Sequence, residues 1–203
     1  MLKWLPDEAL NMRRILREIL NTILIGLLMF ATLQSSLQNY RVEGESMLPT
    51  LVQSQFLMVN KLAYAQFDFS KVSDKIPFVT LEQKPNSHLF DPPKRGDLIV
   101  FKLPDEPNKP PLVKRVVAIP GDSIGISNGE LRINGRRAKE PYLYEKPSLI
   151  NLSDKIMLPG EYFVLGDNRM RSNDSKNWGP VSLEDIIGKV WVSYWPLSTL
   201  EAY

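Results

Sequence analysis

The 203-residue sequence contains no cysteine, and its 25 basic residues nearly balance its 23 acidic residues. Without cysteine there can be no disulfide, no thiolate catalysis and no Cys-ligated metal, in either a reducing or an oxidising compartment. The formal net charge is +2, and no stretch is rich in Lys and Arg, so the sequence lacks the basic segment that is typical of nucleic-acid-binding proteins. We therefore predict neither a nucleic-acid partner nor a cofactor.

Histidine is almost as scarce. The one histidine, His88, lies in the polar, proline-containing stretch 84–93, which predicts a solvated loop. A lone loop histidine makes zinc catalysis and a Ser-His-Asp triad poor interpretations of this chain. We predict no bound metal, and we expect any activated serine to use a base other than histidine.

Long apolar runs are also rare, and the main one covers residues 19–33. It is shorter than the roughly 20 residues that a membrane span needs, but apolar neighbours extend it to 15–38. A cleaved signal peptide, a buried core helix and a retained anchor are the three interpretations. No Ala-x-Ala-like site follows the run, and the run lacks the amphipathic stripe of a core helix. Both observations favour a single transmembrane anchor in a lipid bilayer.

Three arginines precede this run, namely Arg13, Arg14 and Arg17. Positive charge on the N-terminal side predicts that this end stays in the cytoplasm. We therefore expect a cytoplasmic segment at 1–14, an anchor at 15–38 and an exoplasmic domain at 39–203. The membrane would be a cell membrane or a thylakoid membrane.

After Tyr40 the sequence changes to short apolar runs separated by turn residues. Two Asn-Gly pairs, at 128–129 and 134–135, predict tight hairpin turns. A long stretch at 64–93 and the four prolines within 104–111 predict loops. Ser182 is expected to cap a helical turn at 182–188. Strands are predicted at 56–61, Leu98–Phe101, 112–119, 162–165 and 189–196. The predicted fold class is mainly β: a single N-terminal transmembrane helix followed by a β-rich domain with long loops.

The segment 42–51 places Ser46 in a constrained turn. Gly44 allows a close backbone approach, and Pro49 fixes one φ angle and removes one N–H donor. Such clusters are often ordinary turns that lead into a strand, so the motif by itself leaves both interpretations open.

Lys114 stands inside the predicted strand 112–119, among valines and isoleucine. It could lie on the solvent face or snorkel to it. Alternatively, burial would disfavour the charged form and leave a neutral amine that can accept a proton. Arg115 would face the other side of the strand, and arginine cannot deprotonate, so only Lys114 of this pair can be a base.

The segment 166–179 follows a predicted buried strand and is rich in Asx, Ser and Gly. It could be a polar loop whose side chains satisfy their own backbone. It could equally supply the hydroxyls and carboxylates that hold a neutral amine and a nucleophile in place.

These segments, in this order and spacing, resemble the type I signal peptidases, the membrane-anchored leader peptidases with a Ser/Lys dyad in peptidase family S26. The resemblance is carried by 44–50, 95–101, 114–122, and 166–169 with Ser172, Asp174 and Ser175. It implies a signal-peptidase-type catalytic domain in which Ser46 is the nucleophile and Lys114 the general base. Ser172 would orient the lysine, and Asp174 would belong to the supporting network. It also implies cleavage of signal peptides from exported preproteins after small residues at −1 and −3.

Two departures from the family pattern affect the site. Gly44 occupies a position where some members carry a serine, so the oxyanion hole would consist mainly of backbone N–H groups, that of Ser46 included. Lys176 stands where the family often has arginine, so its salt bridge to Asp174 is expected not to be bidentate. Met47 and Leu48, with the apolar strand around Phe56 to Val59, are expected to form shallow apolar pockets along an extended substrate bound by β-addition.

Two other functions are compatible with parts of the pattern. A self-cleaving repressor-type Ser/Lys protease shares the dyad, but residues 1–40 supply an anchor in place of a DNA-binding domain. A catalytically inactive, membrane-anchored β module could bind preproteins or other partners. The presence of both Ser46 and Lys114 in matching motifs favours the enzyme.

Overall fold

A computed structural model describes residues 7–64, 91–103, 106, 108–143, 145 and 150–203. Within these residues the backbone forms one long N-terminal helix, twelve β-strands and short helical turns. The prediction of a mainly β chain with a single N-terminal apolar helix is therefore confirmed. The chain divides into two compact units between Leu37 and Gln38. The predicted loop at 64–93, with His88, lies almost wholly outside the described residues.

Helix α1 spans Asp7–Ser36, two residues short of the predicted end of the anchor. Its segment Met12–Ser36 has a mean hydropathy of 1.7, and its residues are not buried. At 1.5 Å per residue this segment is about 37 Å long, enough for a hydrocarbon core of about 30 Å. The hydroxyls of Thr22 and Thr32 donate to carbonyls four residues earlier, at 2.9 and 2.7 Å, so these polar groups are satisfied within the helix. The helix is consistent with a membrane anchor.

The twelve strands form two sheets within the described residues. The first has the order β1-β2-β11-β3-β4-β9-β10, with β12 paired to β11. The bounds are β1 Leu37–Arg41, β2 Phe56–Asn60, β3 Leu98–Phe101, β4 Leu112–Ala118, β9 Glu161–Leu165, β10 Val181–Ser182, β11 Ile186–Trp195 and β12 Glu201–Ala202. The second has the order β7-β6-β5-β8, with β5 Ser123–Ser127, β6 Glu130–Ile133, β7 Arg136–Arg137 and β8 Leu152–Ile156.

Most predicted strands agree with the structure to within a residue at each end, but β11 begins earlier than predicted. Ser182 does cap a turn, and its Oγ accepts a hydrogen bond from Glu184 N at 3.4 Å, but that turn covers only Leu183–Asp185. Ile186 and Gly188 instead pair with Phe101 and Val100 of β3. The sheet partner, which the local sequence does not reveal, decides their conformation.

Both Asn-Gly pairs form the predicted hairpin turns. Asn128 and Gly129, between β5 and β6, have φ angles of 50° and 76°. Asn134 and Gly135, between β6 and β7, have φ angles of 53° and 74°. Two successive positive φ angles define the type I′ turn, which Asn and Gly tolerate at low cost.

Strand β4 is buried on both faces because it lies between two apolar clusters. Val116 belongs to a cluster with Ile99, Phe101 and Val164, whereas Val117 packs between the two sheets. A third cluster lies under the 42–51 turn and consists of Val42, Met47, Leu51, Leu57, Val59, Leu98, Val100 and Val190. A polar side chain on β4 that points into this interior is therefore shielded from water.

Candidate active site

Ser46 lies on the turn that connects β1 and β2. The next residue, Met47, is only 1% exposed and packs in the cluster under this turn together with Leu51. Leu51 N donates to Met47 O at 2.9 Å, and Leu48 N donates to Glu45 O at 3.2 Å. Core packing and backbone hydrogen bonds thus hold the turn and leave the Ser46 side chain half-buried at its tip.

Lys114 lies in the middle of β4, directly opposite Ile99 of β3. Its Nζ is 2.7 Å from Ser46 Oγ and donates to Val113 O at 3.0 Å. The residue is 3% exposed, so the alternative of a lysine on the solvent face does not describe this structure. The two residues that the family resemblance pairs are in hydrogen-bond contact.

Burial lowers the pKa of Lys114 to about 8, because the interior disfavours its charged form. The negative charges of Asp174 and Asp167 oppose this shift in pKa, whereas the positive charge of Lys176 adds to it. A neutral lysine nitrogen can accept the hydroxyl proton of Ser46, which the ammonium form cannot do. The arrangement can therefore perform general-base activation of a serine.

Asp174 is fully buried and caps the short helix α2, Ser175–Trp178, which the sequence did not predict. Its Oδ2 accepts from Gly166 N at 3.0 Å, so it joins the start of the 166–179 segment to helix α2. Lys176 Nζ lies 2.6 and 2.7 Å from the two carboxylate oxygens. The expectation that this pair would not be bidentate is wrong, because one ammonium on the bisector of a carboxylate reaches both oxygens.

Ser172 and Ser46 both lie close to Gly166. The hydroxyl of Ser172 makes no hydrogen bond to Lys114. Its Oγ is buried and has no hydrogen-bond partner among the described residues. A methyl group added at Gly166 would collide with Ser172 and would lie 2.5 Å from Ser46 O. The close packing around Gly166 therefore brings Ser172 next to the nucleophile turn, and its orienting role stays a prediction.

The backbone of Ser46 is fixed from the other side by Asn168. Asn168 N donates to Ser46 O at 3.0 Å, and its Nδ2 donates to Glu45 O at 3.1 Å. The N–H of Ser46 itself has no hydrogen-bond acceptor in the part of the chain that the structure describes. This N–H can therefore donate to a developing oxyanion.

The residues expected to line substrate pockets differ in their accessibility. Met47 is a core residue, so in this structure it supports the turn and does not line an open pocket. Leu48 is half-buried and reaches the surface. Strand β2 lies between β1 and β11 in the sheet, so both of its edges are already paired. A substrate strand would have to pair elsewhere.

Sequence reasoning missed the network around Asp167. This carboxylate accepts from Thr50 Oγ1 at 2.5 Å and pairs with the Arg115 guanidinium. Strand alternation did place Arg115 on the face away from Lys114, and Asp167 belongs to the segment 166–169 that carries the family resemblance. Their contact could not be read from the sequence because 52 residues separate them. Among the described residues, no group of three or more His, Asp or Glu is placed to hold a metal.

The chain matches the family model of signal peptidase, peptidase S26, over residues 15–195. Signal peptidase I of Bacillus caldolyticus is 37% identical over 171 residues, which cover 78% of this chain and 79% of that protein. Signal peptidase I of Leptolyngbya laminosa is 35% identical and covers 78% of this chain and 69% of that protein. Signal peptidase I P of Bacillus subtilis subsp. natto is 34% identical over 192 residues and covers 89% of this chain and 90% of that protein.

A crystal structure of a signal peptidase I from Enterococcus faecalis V583 is 30% identical to this chain. It covers 49% of this chain and 97% of the Enterococcus chain, with a TM-score of 0.42. The family match includes the Ser46 turn, β4 and the segment that follows β9.

Proposed function

The chain belongs to the signal peptidase family, peptidase S26, and we propose that it cleaves signal peptides with Ser46 as nucleophile and Lys114 as general base. One observation carries the assignment of these residues. Ser46 Oγ and Lys114 Nζ lie 2.7 Å apart, and the lysine is buried. A weak hydroxyl nucleophile needs such a neutral base within hydrogen-bond reach.

In the acylation step, Ser46 Oγ attacks the carbonyl carbon of the scissile peptide bond while Lys114 Nζ takes the hydroxyl proton. The carbonyl oxygen becomes an oxyanion and accepts a hydrogen bond from Ser46 N–H. One such donor stabilises the transition state by roughly 3 kcal/mol in other serine proteases. The C–N bond then breaks, Lys114 returns the proton to the leaving amine, and the signal peptide remains esterified to Ser46.

In the deacylation step, Lys114 takes a proton from a water molecule that attacks the ester carbonyl. The Ser46 oxygen leaves and recovers that proton from Lys114, and the signal peptide is released as a carboxylic acid that loses its remaining proton to solvent. Lys114 and Ser46 end the cycle in the protonation states in which they began it, so the cycle requires no cofactor.

Asp174 and Ser172 have supporting roles in this proposal. Asp174 holds Gly166 N and the Lys176 ammonium, and it thereby shapes the segment that packs against Ser46. Ser172 is proposed to orient the Lys114 amine, because its hydroxyl lies in the same packed region. Neither residue reacts with the substrate.

The proposed substrates are exported preproteins with small residues at −1 and −3 relative to the cleavage site. Leu48, which reaches the surface beside the nucleophile, is the proposed apolar contact for the substrate. Preproteins with Ala, Phe or Lys at −1 would test this specificity. Cleavage that tolerates Phe or Lys as well as Ala would contradict it.

We also infer that α1 crosses the membrane with its N-terminus in the cytoplasm, because Arg13, Arg14 and Arg17 stand on that side of the apolar segment. Protease added to the exoplasmic side of sealed vesicles should then digest the part of the chain after Tyr40. Digestion only from the cytoplasmic side would reverse the assigned orientation.

The central experiment uses the full chain, purified in detergent, with a preprotein substrate. The wild-type enzyme should release the mature protein, and N-terminal sequencing should place the cut after the small −1 residue. The Ser46→Ala variant should bind the same substrate without cleaving it. Wild-type rates in Ser46→Ala would exclude Ser46 as nucleophile.

A further inference from the structure

Residues 138–143, which follow β7, contact the buried Arg169 through Glu140 and the partly buried Arg115 through Tyr142, and we call this segment the strap. The carboxylate of Glu140 accepts hydrogen bonds from both terminal nitrogens of Arg169, Nη2 to Oε1 and, at 3.4 Å, Nη1 to Oε2. The ring of Tyr142 stacks on the guanidinium of Arg115, 4.1 Å from its central carbon. Tyr142 OH also donates to Glu140 Oε1 at 3.0 Å. A hydrogen bond therefore links the two strap side chains that contact the arginines.

The pair between Arg169 and Glu140 lies in the interior. The Arg169 side chain is 2% exposed and the Glu140 side chain 9% exposed. An arginine at this depth keeps its charge, so it requires an anionic partner there. Glu140 supplies that partner from the strap, 29 residues earlier in the chain.

Both arginines hold the segment that positions the nucleophile. Arg169 Nε donates to Gly166 O at 3.2 Å, and Arg115 pairs with Asp167. The next residue, Asn168, donates its N–H to Ser46 O at 3.0 Å. The strap is thus connected to the Ser46 turn through Arg169, which binds Gly166 O, and through Arg115, which binds Asp167.

The strap has one apolar contact with the core, because Ala138 packs against the cluster between the two sheets and its N–H donates to Leu131 O at 2.9 Å. The rest of the strap borders an open pocket of about 610 Å³, whose wall includes Lys139 and Tyr142 of the strap and Val117, Leu131 and Ile133. Its polar contacts to Arg169 and Arg115 are therefore its main anchors to the segment 166–169.

We propose that Glu140 and Tyr142 are positioning residues of the active site, which hold the segment 166–169 so that Ser46 stays against a dry Lys114. The proposal rests on the assignment of Ser46 and Lys114 as the dyad. If the strap is released, the segment loosens and water reaches the lysine. Lys114 then approaches the protonation behaviour of an exposed lysine, and catalysis requires higher pH.

The charged groups with the largest effect on the pKa of Lys114 are Asp174, Lys176 and Asp167. Glu140 is not among them. A change in the pH dependence after substitution of Glu140 would therefore report altered geometry and hydration around Lys114, and not the loss of a direct charge interaction.

The test compares Glu140→Gln and Tyr142→Leu with the wild type in the full chain, using one preprotein substrate across a pH series. Both variants should lower kcat/KM by about tenfold or more at neutral pH, mainly through kcat, because misplacement of reacting groups is costly. The rising limb of the pH profile should move upward by about one pH unit as Lys114 becomes hydrated.

Two control variants separate positioning from general effects. Glu130→Gln removes an exposed ion pair between Glu130 of β6 and Arg137 of β7. This variant should leave the rate and the pH profile unchanged. Ile126→Val removes a methyl group from the core between the sheets and should lower the Tm while the pH limb stays in place.

A Glu140→Gln variant that loses thermal stability but keeps the wild-type pH limb and kcat would overturn the proposal. If Glu140→Gln does not fold, Glu140→Asp and Tyr142→Leu decide by the same two measurements. The proposed function is tested separately by Ser46→Ala. A wild type that cleaves and a Ser46→Ala variant that does not would uphold the dyad nucleophile whatever the strap variants show.

Discussion

Arg115, the residue after the proposed base, forms a two-point ion pair with Asp167. Nε lies 2.9 Å from Oδ1 and Nη2 lies 2.7 Å from Oδ2, with the two side chains 11% and 1% exposed. Thr50 Oγ1 donates to the same carboxylate. The pair therefore ties together β4, the segment after β9 and the turn that carries Ser46.

Asp167→Asn should destabilise the protein strongly, because it leaves the Arg115 charge buried without its partner. Loss of one member of a buried pair costs about 3–5 kcal/mol, whereas an exposed pair contributes about 1 kcal/mol or less. Thermal unfolding of Asp167→Asn beside Glu130→Gln would measure the contrast. Equal stability of the two variants would show that the pair between Arg115 and Asp167 contributes little to the stability of the folded protein. Inactivity of Arg115→Met would follow from the same disruption and would not identify Arg115 as the base.

The pH dependence of cleavage should follow the proton on Lys114. Because burial lowers the pKa of Lys114 to about 8, kcat/KM should rise with pH and level off above that value. About a tenth of the enzyme would carry the neutral amine at pH 7. A rise of kcat/KM centred near pH 6.5 would instead indicate a histidine base. A rise centred near the pKa of free lysine would mean that the amine of Lys114 is hydrated in solution.

Lys114→Met should be folded and inactive, because it keeps the length of the side chain but has no base. It should also be more stable than the wild type. The folded-state pKa of Lys114, about 8, lies below its ordinary value of 10.5. Between those values the unfolded chain binds more protons, so wild-type stability rises with pH, and below them the full burial penalty applies. The variant should gain up to about 3 kcal/mol below pH 8, and the gain should shrink toward pH 10.5. Chemical denaturation at pH 7 and pH 10 would measure this. Activity in the variant would disprove the role of Lys114.

Ser172→Ala should reduce activity less than Lys114→Met does, because it removes a proposed orienting hydroxyl and leaves the base in place. Its stability should be nearly unchanged, since Ser172 Oγ has no hydrogen-bond partner among the described residues. Single-turnover cleavage rates and Tm values of the two variants would make the comparison. A loss as complete as that of Lys114→Met would mean that Ser172 takes part directly in proton transfer.

Gly166→Ala should impair catalysis although it adds only one methyl group. That methyl carbon would lie 2.5 Å from Ser46 O, so the segment must move away from the nucleophile turn. We expect a loss of about 100-fold in kcat, the scale associated with a displacement of 1 Å. Gly26→Ala is the matched control, since nothing lies within 4 Å of its added carbon. Normal kcat in Gly166→Ala would show that this packing is not needed for the reaction.

The sequence alone determined the features that depend on neighbours along the chain. The apolar segment before Tyr40 predicts its own helix, and each Asn-Gly pair predicts a type I′ turn from the φ angles that those residues tolerate. The apolar runs predict five of the twelve strands, since a run of apolar residues is a local property of the sequence. The residues around Ser46 and Lys114 carried the family resemblance, and the family match agrees with it.

Tertiary structure decided what covers each residue. Alternation placed Lys114 and Arg115 on opposite faces of β4, but only the packing of other segments shows that both faces are covered. Ser46 and Lys114 are 68 residues apart, and Thr50 and Asp167 are 117 residues apart. The same cause moved Met47 from an expected pocket into the core and Ile186 from a helical turn into β11. Burial, pKa and ion pairing depend on segments that meet only in the folded chain, so the local sequence could not determine them.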